Sequence, residues 1–152
     1  MNVSEFMTRD VITCNENQTL ADASKLMSEK GFSVMPIVDG SQKLVGMVTE
    51  SDFVGKETNV PHALVSIKRL FGQDFHFGDV EEIYAKAKTK KLSEVMSKNL
   101  KTVTPTTSLS NVINLMITKN LKRLPVVDGE KLVGIITRKN LLKAFNQIEA
   151  QG

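Results

Sequence analysis

The chain has 152 residues, 41% of them hydrophobic, and can therefore bury a substantial core. Its single cysteine, Cys14, excludes an intrachain disulfide framework, and no apolar run approaches the roughly 20 residues of a membrane-spanning helix. The net charge is only +3 and the Lys86–Lys91 run lacks interleaved aromatic residues, so a nucleic-acid partner is not expected. Because the amino terminus does not read as a signal peptide, we expect a cytoplasmic protein.

The first predicted elements are a strand and an amphipathic helix. The strand begins near Thr13, and Thr19 is a typical N-cap residue for the helix that follows. Gly31 is suited to the left-handed position that ends a helix. The face predicted to pack in the core consists of Leu20, Ala23, Leu26 and Met27.

A strand-turn-strand pattern follows over residues 35–49. Asp39-Gly40 separates two runs of β-branched residues, which is typical of a β-hairpin. The second run ends at Thr49, where a short helix is predicted to begin, and a hydroxyl there can cap the helix or contact an anion. Asp52 falls in the first turn of that helix, where the helix dipole favours an acid.

Residues 56–91 are predicted to form a helical insert, because a structureless loop of this length is uncommon in a compact protein. One helix is predicted between Pro61 and Gly72, and a second begins after Asp79, where Glu82 completes a capping box. An aromatic cluster between them either covers an edge of the core or forms a subunit contact. Its members are Phe71, Phe75 and Phe77.

Catalytic and metal-binding patterns are missing from the sequence. His62 and His76 have no acidic or cysteine partners at ligand spacing. A P-loop, a dinucleotide fingerprint and a glycine-flanked serine nucleophile are all absent. We therefore expect neither an enzyme nor a metal site.

The chain contains the same pattern twice. Asp39 and Asp128 are 89 residues apart, and this offset also aligns Thr13 with Thr102. In the second copy, a helix runs from the N-cap Ser108 to Asn120, and a hairpin ends at Thr137. Each copy is too small to be stable alone, so the two should share a core. The predicted organisation is a repeat at 1–55, the insert at 56–91, a repeat at 92–146 and a tail at 147–152.

The charges differ between the two copies. Residues 1–53 contain 4 basic and 8 acidic side chains, whereas residues 92–152 contain 9 basic and 4 acidic ones. This difference either helps the halves pack together or gives the second copy the attraction for an anionic ligand.

Both copies closely resemble the CBS domain (cystathionine β-synthase domain). The resemblance rests on the order of elements and on Leu-Val-Gly-apolar-apolar-Thr, which occurs at Leu44–Thr49 and at Leu132–Thr137. It implies an α/β (α+β) fold in which two β-α-β-β-α repeats form one pseudo-twofold module with a helical insert. It also implies a homodimer in which two such modules form a flat disc.

Gly46–Asp52 and Gly134–Asn140 resemble the adenosine-binding motif of this family, Gly-x-x-Thr-x-x-Asp. In the family, the carboxylate binds both ribose hydroxyls, and a site combines this motif with the strand before proline of the other repeat. Carried over by position, the stronger site consists of Thr49, Asp52, Thr102, Val103, Lys122 and Arg123. The second site is weaker because an amide accepts hydrogen bonds less strongly than a carboxylate. It consists of Thr13, Ser33, Val34, Met35, Thr137, Arg138 and Asn140.

The resemblance implies a regulatory module that senses an adenosine derivative in the cleft between the repeats. The candidate ligands are AMP, ADP, ATP and S-adenosylmethionine, and the module would act in energy sensing and pass ligand occupancy to a regulated partner. No other cofactor is expected. The alternative is a structural or oligomerisation module with empty sites, in which Thr49 and Asp52 serve only as helix caps.

Overall fold

The structure is a computed structural model that describes residues 1–54 and 80–148. A 3₁₀ helix at Val3–Glu5 precedes the regular elements. In the first repeat these are β1 (Cys14–Asn15), α1 (Leu20–Lys30), β2 (Val34–Val38), β3 (Leu44–Thr49) and α2 (Ser51–Val54). Then follow α3 (Val80–Ala87), α4 (Leu92–Val95), α5 (Leu109–Thr118), β4 (Arg123–Asp128), β5 (Lys131–Thr137) and α6 (Arg138–Gln147).

Part of the predicted insert lies outside the described residues. This part includes the helix between Pro61 and Gly72, the aromatic cluster, both histidines and Asp79, and residues 149–152 of the tail lie outside as well. The second predicted helix of the insert is observed as α3. The Tyr84 hydroxyl donates a 2.6 Å hydrogen bond to the Phe53 carbonyl, which ties α3 to the end of α2.

The chain divides into two compact units, and their boundaries do not follow the repeats. The first-repeat unit comprises Ile12–Ser41 and Val45–Leu100, and the second-repeat unit comprises Met1–Val11, Gln42–Leu44 and Lys101–Gly152. Each unit therefore contains the segment that begins the other repeat. This exchange follows from main-chain pairing, because Thr8 pairs with Ile135 of β5, and Ser97 pairs with Met47 of β3.

The first-repeat unit is built on a three-stranded sheet in the order β1-β2-β3. Strand β1 pairs in parallel with β2, placing Cys14 opposite Ile37. Helices α1 and α4 cover this sheet and supply many of the core residues. The buried cluster consists of Cys14, Leu20, Ala23, Met27, Met35, Ile37, Val48, Ala87, Leu92, Val95 and Met96.

The caps predicted for α1 are confirmed. The Thr19 N–H donates to the Asp22 carboxylate at 2.9 Å, and the Asp22 N–H donates to the Thr19 hydroxyl at 3.3 Å. This reciprocal pair satisfies two amide groups that a helix start leaves without partners. Gly31 adopts a left-handed φ of 69°, which a side chain would disfavour.

The second-repeat unit repeats this plan with a shorter first strand. Strands β4 and β5 form an antiparallel pair, and the predicted strand near Thr102 is reduced to one bridge between Val103 and Val126. The buried cluster consists of Val3, Phe6, Met7, Val103, Val112, Met116, Leu124, Val126, Ile136 and Ala144. The mixed α/β fold predicted from the repeat is thus confirmed. None of the helices within residues 1–54 and 80–148 is long and apolar enough to cross a membrane.

Candidate functional site

The first candidate site lies where β3 meets α2. Thr49 ends the strand, and its N–H donates to the Asp52 carboxylate at 2.8 Å. The next residue, Glu50, donates its N–H to the Ser33 carbonyl at 3.0 Å, which holds the junction against the entry to β2. Thr49 and Asp52 are both half-buried. A carboxylate has about four acceptor positions, and the Thr49 N–H occupies one of those of Asp52.

The matching junction between β5 and α6 is capped by Thr137 and Asn140. The Asn140 amide oxygen accepts both the Thr137 N–H at 2.8 Å and the Thr137 hydroxyl at 3.0 Å, while the Asn140 N–H donates to that hydroxyl at 3.3 Å. The Asn140 amide nitrogen donates to the Thr8 hydroxyl at 3.2 Å. An amide oxygen has two lone pairs, and Thr137 engages both. This arrangement therefore caps α6 well but leaves Asn140 little capacity to accept from a ligand.

The cationic residues gather at this second junction. The register of β4 and β5 places Arg123 opposite Thr137, and the Arg138 N–H donates to the Lys122 carbonyl at 3.3 Å. The Arg138 guanidinium donates to the Leu121 carbonyl at 3.4 Å. Residues 131–148 contain no Asp or Glu, so the local charge is positive. The structure thus brings together, in one unit, residues that the sequence assigned to two different sites.

The remaining predicted residues differ in how accessible they are. Thr102 is exposed, and Thr13, Ser33 and Val34 are half-buried. The side chains of Met35 and Val103 are only 0% and 4% exposed and belong to the cores of their units. Their predicted role is therefore limited to main-chain contacts, and the Val103 N–H already donates to the Pro125 carbonyl at 3.0 Å.

The two halves of each predicted composite site fall in different compact units. Thr49 and Asp52 belong to the first-repeat unit, whereas Lys122 and Arg123 belong to the second-repeat unit. Joining the halves across the two units stays a prediction.

The motif glycines have a packing role that sequence reasoning missed. A Cβ atom on Gly46 would collide with the Met96 side chain, and one on Gly134 would lie 2.7 Å from the Met7 sulfur and 2.9 Å from the Thr8 carbonyl oxygen. Because neither glycine has a side chain, the segment that contains Met96 can pack directly against β3, and the segment that contains Met7 can pack directly against β5. The sequence did contain a signal for this packing role, because Met7 and Met96 occupy the same position in the two copies of the repeat.

The described residues indicate neither metal binding nor thiol chemistry. In the described residues, no cluster of three or more His, Cys, Asp or Glu side chains could hold a metal ion. Cys14 is buried, and burial, with a smaller effect of Asp22, raises the pKa of its thiol. A buried thiol with a raised pKa is a poor nucleophile, so Cys14 acts as a core residue.

The sequence model of the CBS domain matches residues 3–59 and 92–147, which cover both repeats. The chain therefore belongs to the CBS domain family. Because both matched segments lie in one chain, it has the arrangement of a CBS pair.

Similar proteins occur in archaea and plants. The chain is 30% identical over 149 residues to the MJ1225 protein of Methanocaldococcus jannaschii, covering 94% of this chain and 46% of that protein. It is 30% identical over 156 residues to the chloroplastic protein CBSX1 of Arabidopsis thaliana, covering 99% of this chain and 66% of CBSX1. The chain thus spans about half to two thirds of the length of these relatives.

A crystal structure similar to this chain is a complex with AMP. CBSX2, whose crystal structure is a complex with AMP, superposes with a TM-score of 0.72 at 27% identity, and the match covers 98% of each chain. CBSX2 is an Arabidopsis thaliana protein.

Proposed function

We propose that the chain is a regulatory module that binds an adenosine derivative. The observation that carries the proposal is the pair of strand-to-helix junctions, each of which presents a threonine and an Asp or Asn three residues later. The similarity to CBSX2, which binds AMP in its crystal structure, supports the same class of ligand. The ligand is regulatory, and the chain itself catalyses no reaction.

The chemistry of the two junctions is complementary. Asp52 provides a carboxylate that can accept two charge-assisted hydrogen bonds from a ribose diol. Lys122 and Arg123 lie at the basic junction of the other unit and suit a phosphate. We therefore retain the combination of Thr49, Asp52, Lys122 and Arg123 as the principal site. Because Asn140 is engaged by Thr137, the second site should be weaker for ribose.

The proposed assembly is a cytoplasmic homodimer that passes ligand occupancy to a regulated partner. Its subunit contact is proposed near the aromatic cluster of the insert, which lies outside the described residues. Sedimentation of the wild type and of a Phe75→Ser, Phe77→Ser double variant tests this contact. A monomeric wild type at tens of micromolar contradicts the dimer, and an unaltered double variant relocates the interface.

The ligand proposal is tested by calorimetric titration with adenosine, AMP, ATP and S-adenosylmethionine. Asp52→Asn is the informative variant, because an amide oxygen can still accept the Thr49 N–H, as Asn140 does for Thr137. It should therefore preserve the cap and the melting temperature while weakening a charge-assisted bond to ribose. We expect about tenfold weaker binding for Asp52→Asn and up to about a hundredfold for Asp52→Ala.

Two further variants serve as controls. Asn140→Ala should weaken binding less than Asp52→Ala does. Arg123→Ala should weaken ATP more than AMP and leave adenosine nearly unchanged, and the loss should shrink as salt is raised. If Asn140→Ala is the more damaging variant, the order of the two sites is inverted. If the wild type binds none of these ligands at millimolar concentration, the chain is a structural module and Asp52 is only a helix cap.

A further inference from the structure

The single tyrosine of the chain, Tyr84, contacts the residue that follows Asp52. Tyr84 lies on α3, and its hydroxyl donates a 2.6 Å hydrogen bond to the Phe53 carbonyl. Phe53 lies on α2, and its own N–H donates to the Glu50 carbonyl at 3.0 Å. Both main-chain polar groups of Phe53 are therefore bonded, directly beside the carboxylate of the principal site.

Helix α2 depends on contacts with its surroundings. It spans the four residues Ser51–Val54, whereas an isolated helix becomes stable only at about 12 to 15 residues. In the second repeat, Asn140 and Leu141 occupy the positions of Asp52 and Phe53, and they lie on α6, which has ten residues. The hydrogen bonds of a longer helix hold Asn140 in place. Asp52 instead relies on the neighbours of α2.

The ring and the hydroxyl of Tyr84 contribute in different ways. Tyr84 and Phe53 are both half-buried and pack against the same buried cluster of the first-repeat unit. Apolar packing is non-directional, whereas a hydrogen bond requires a particular distance and angle. The two rings therefore stabilise the unit, and the hydroxyl fixes the orientation of the Phe53 carbonyl.

Helix α3 is a suitable support because other contacts fix its own position. Ala87, the last residue of α3, is 1% exposed and belongs to the core. Shortly after the helix, the Lys90 carbonyl accepts the Leu20 N–H at 2.9 Å, which joins the end of α3 to the start of α1. Tyr84 thus connects α2 to an element that the core and α1 hold in place.

We propose that Tyr84 is a positioning residue for the ligand site, which holds Asp52, through the Phe53 carbonyl, in the orientation that binds ribose hydroxyls. The inference rests on the proposed function, in which Asp52 binds the ribose diol of an adenosine derivative. Helix α3 lies outside both repeats, at the end of the predicted insert at 56–91. The insert therefore contributes to the affinity of the ligand site.

Tyr84→Phe tests this role because it removes the hydroxyl and keeps the ring. In calorimetric titrations, the variant should bind AMP about three- to tenfold more weakly than the wild type does. It should bind 2′,3′-dideoxy-AMP as the wild type does, because this ligand lacks the hydroxyls that Asp52 accepts. Equal losses for both ligands would indicate general damage to the fold. That result, or no loss for AMP, overturns the proposal.

Two further variants locate the effect. In an Asp52→Ala background, Tyr84→Phe should cause no further loss of AMP affinity, because the group that it positions is absent. Thr89→Val is the matched control, since the exposed Thr89 hydroxyl donates a 2.8 Å bond to the Lys86 carbonyl at the other side of α3's end. It should leave AMP binding unchanged. A loss equal to that of Tyr84→Phe would show that the bond to Phe53 is not the cause.

Hydrogen exchange of the ligand-free protein separates this inference from the proposed function. The Thr49 N–H donates to the Asp52 carboxylate at 2.8 Å, and the Thr137 N–H donates to the Asn140 amide oxygen at the same distance. Tyr84→Phe should speed exchange at Thr49 at least about threefold and leave exchange at Thr137 unchanged.

The two measurements fail in different ways. If the wild type binds no AMP, faster exchange at Thr49 still establishes that Tyr84 orients Asp52, and only the ligand assignment is wrong. If the wild type binds AMP, and Tyr84→Phe changes neither the exchange at Thr49 nor the affinity, the positioning role is wrong and the ligand assignment stands.

Discussion

Replacing Gly134 with alanine should destabilise the protein more than replacing Gly46, although both glycines occupy the same motif position. The reason is the kind of atom that each new methyl group would meet. At Gly46 the nearest atoms all belong to the Met96 side chain, whereas at Gly134 the main-chain oxygen of Thr8 is only 2.9 Å away. A methionine side chain can rotate, but a carbonyl moves only with its backbone.

The magnitude follows from the contacts that would shift. Overpacking a core costs about 1 to 3 kcal/mol, and the Gly→Ala change returns about 0.4 to 1 kcal/mol through the unfolded state. At Gly134 the methyl group would also displace Thr8, which exchanges hydrogen bonds of 3.0 and 2.9 Å with Ile135. Each such bond contributes about 0.5 to 1.5 kcal/mol. We expect losses of about 1 to 2 kcal/mol for Gly46→Ala and about 2 to 4 kcal/mol for Gly134→Ala.

Urea unfolding followed by circular dichroism measures these losses, and double-mutant cycles identify their cause. Met96→Ala should suppress most of the Gly46→Ala defect because it removes the Cγ and sulfur atoms and leaves only the Met96 Cβ, 3.0 Å from the new methyl group. Met7→Ala should suppress the Gly134→Ala defect only in part, since the Thr8 oxygen remains. If Gly134→Ala costs no more than Gly46→Ala, or if Met7→Ala restores it fully, the close main-chain contact is not the cause.

Two further predictions concern the first-repeat unit. Burial raises the pKa of the Cys14 thiol above its ordinary value of 9.0, so the free energy of unfolding should fall as the pH rises through this value. Cys14→Val, which introduces the residue that the second repeat has there, should flatten this slope in urea titrations between about pH 8 and pH 10. A fragment of residues 1–91 lacks α4, which contributes Leu92 and Val95 to the core of this unit, and should not unfold cooperatively. Native-like hydrogen-exchange protection in that fragment would show that the unit does not need α4.

The local elements could be predicted from the sequence because their signals are local. Thr19 and Gly31 bound α1 as predicted, and Ser108 caps α5 by accepting the Asn111 N–H at 3.2 Å. Asn120 adopts the predicted left-handed conformation at φ 50° just after α5. Such caps depend on side chains within three or four residues, so one sequence is enough to find them.

The exchanged segments could not be predicted in the same way. Thr8 pairs with Ile135 across most of the chain length, and no turn residue or periodicity marks such a contact. The position of Arg123 beside Thr137, in contrast, could be predicted from the sequence to within one residue. Pairing residues outward from Asp128 and Lys131 places Arg123 opposite Thr137 once the bulge at Val126/Val127 is included, and the bulge is the one step that the pattern does not reveal.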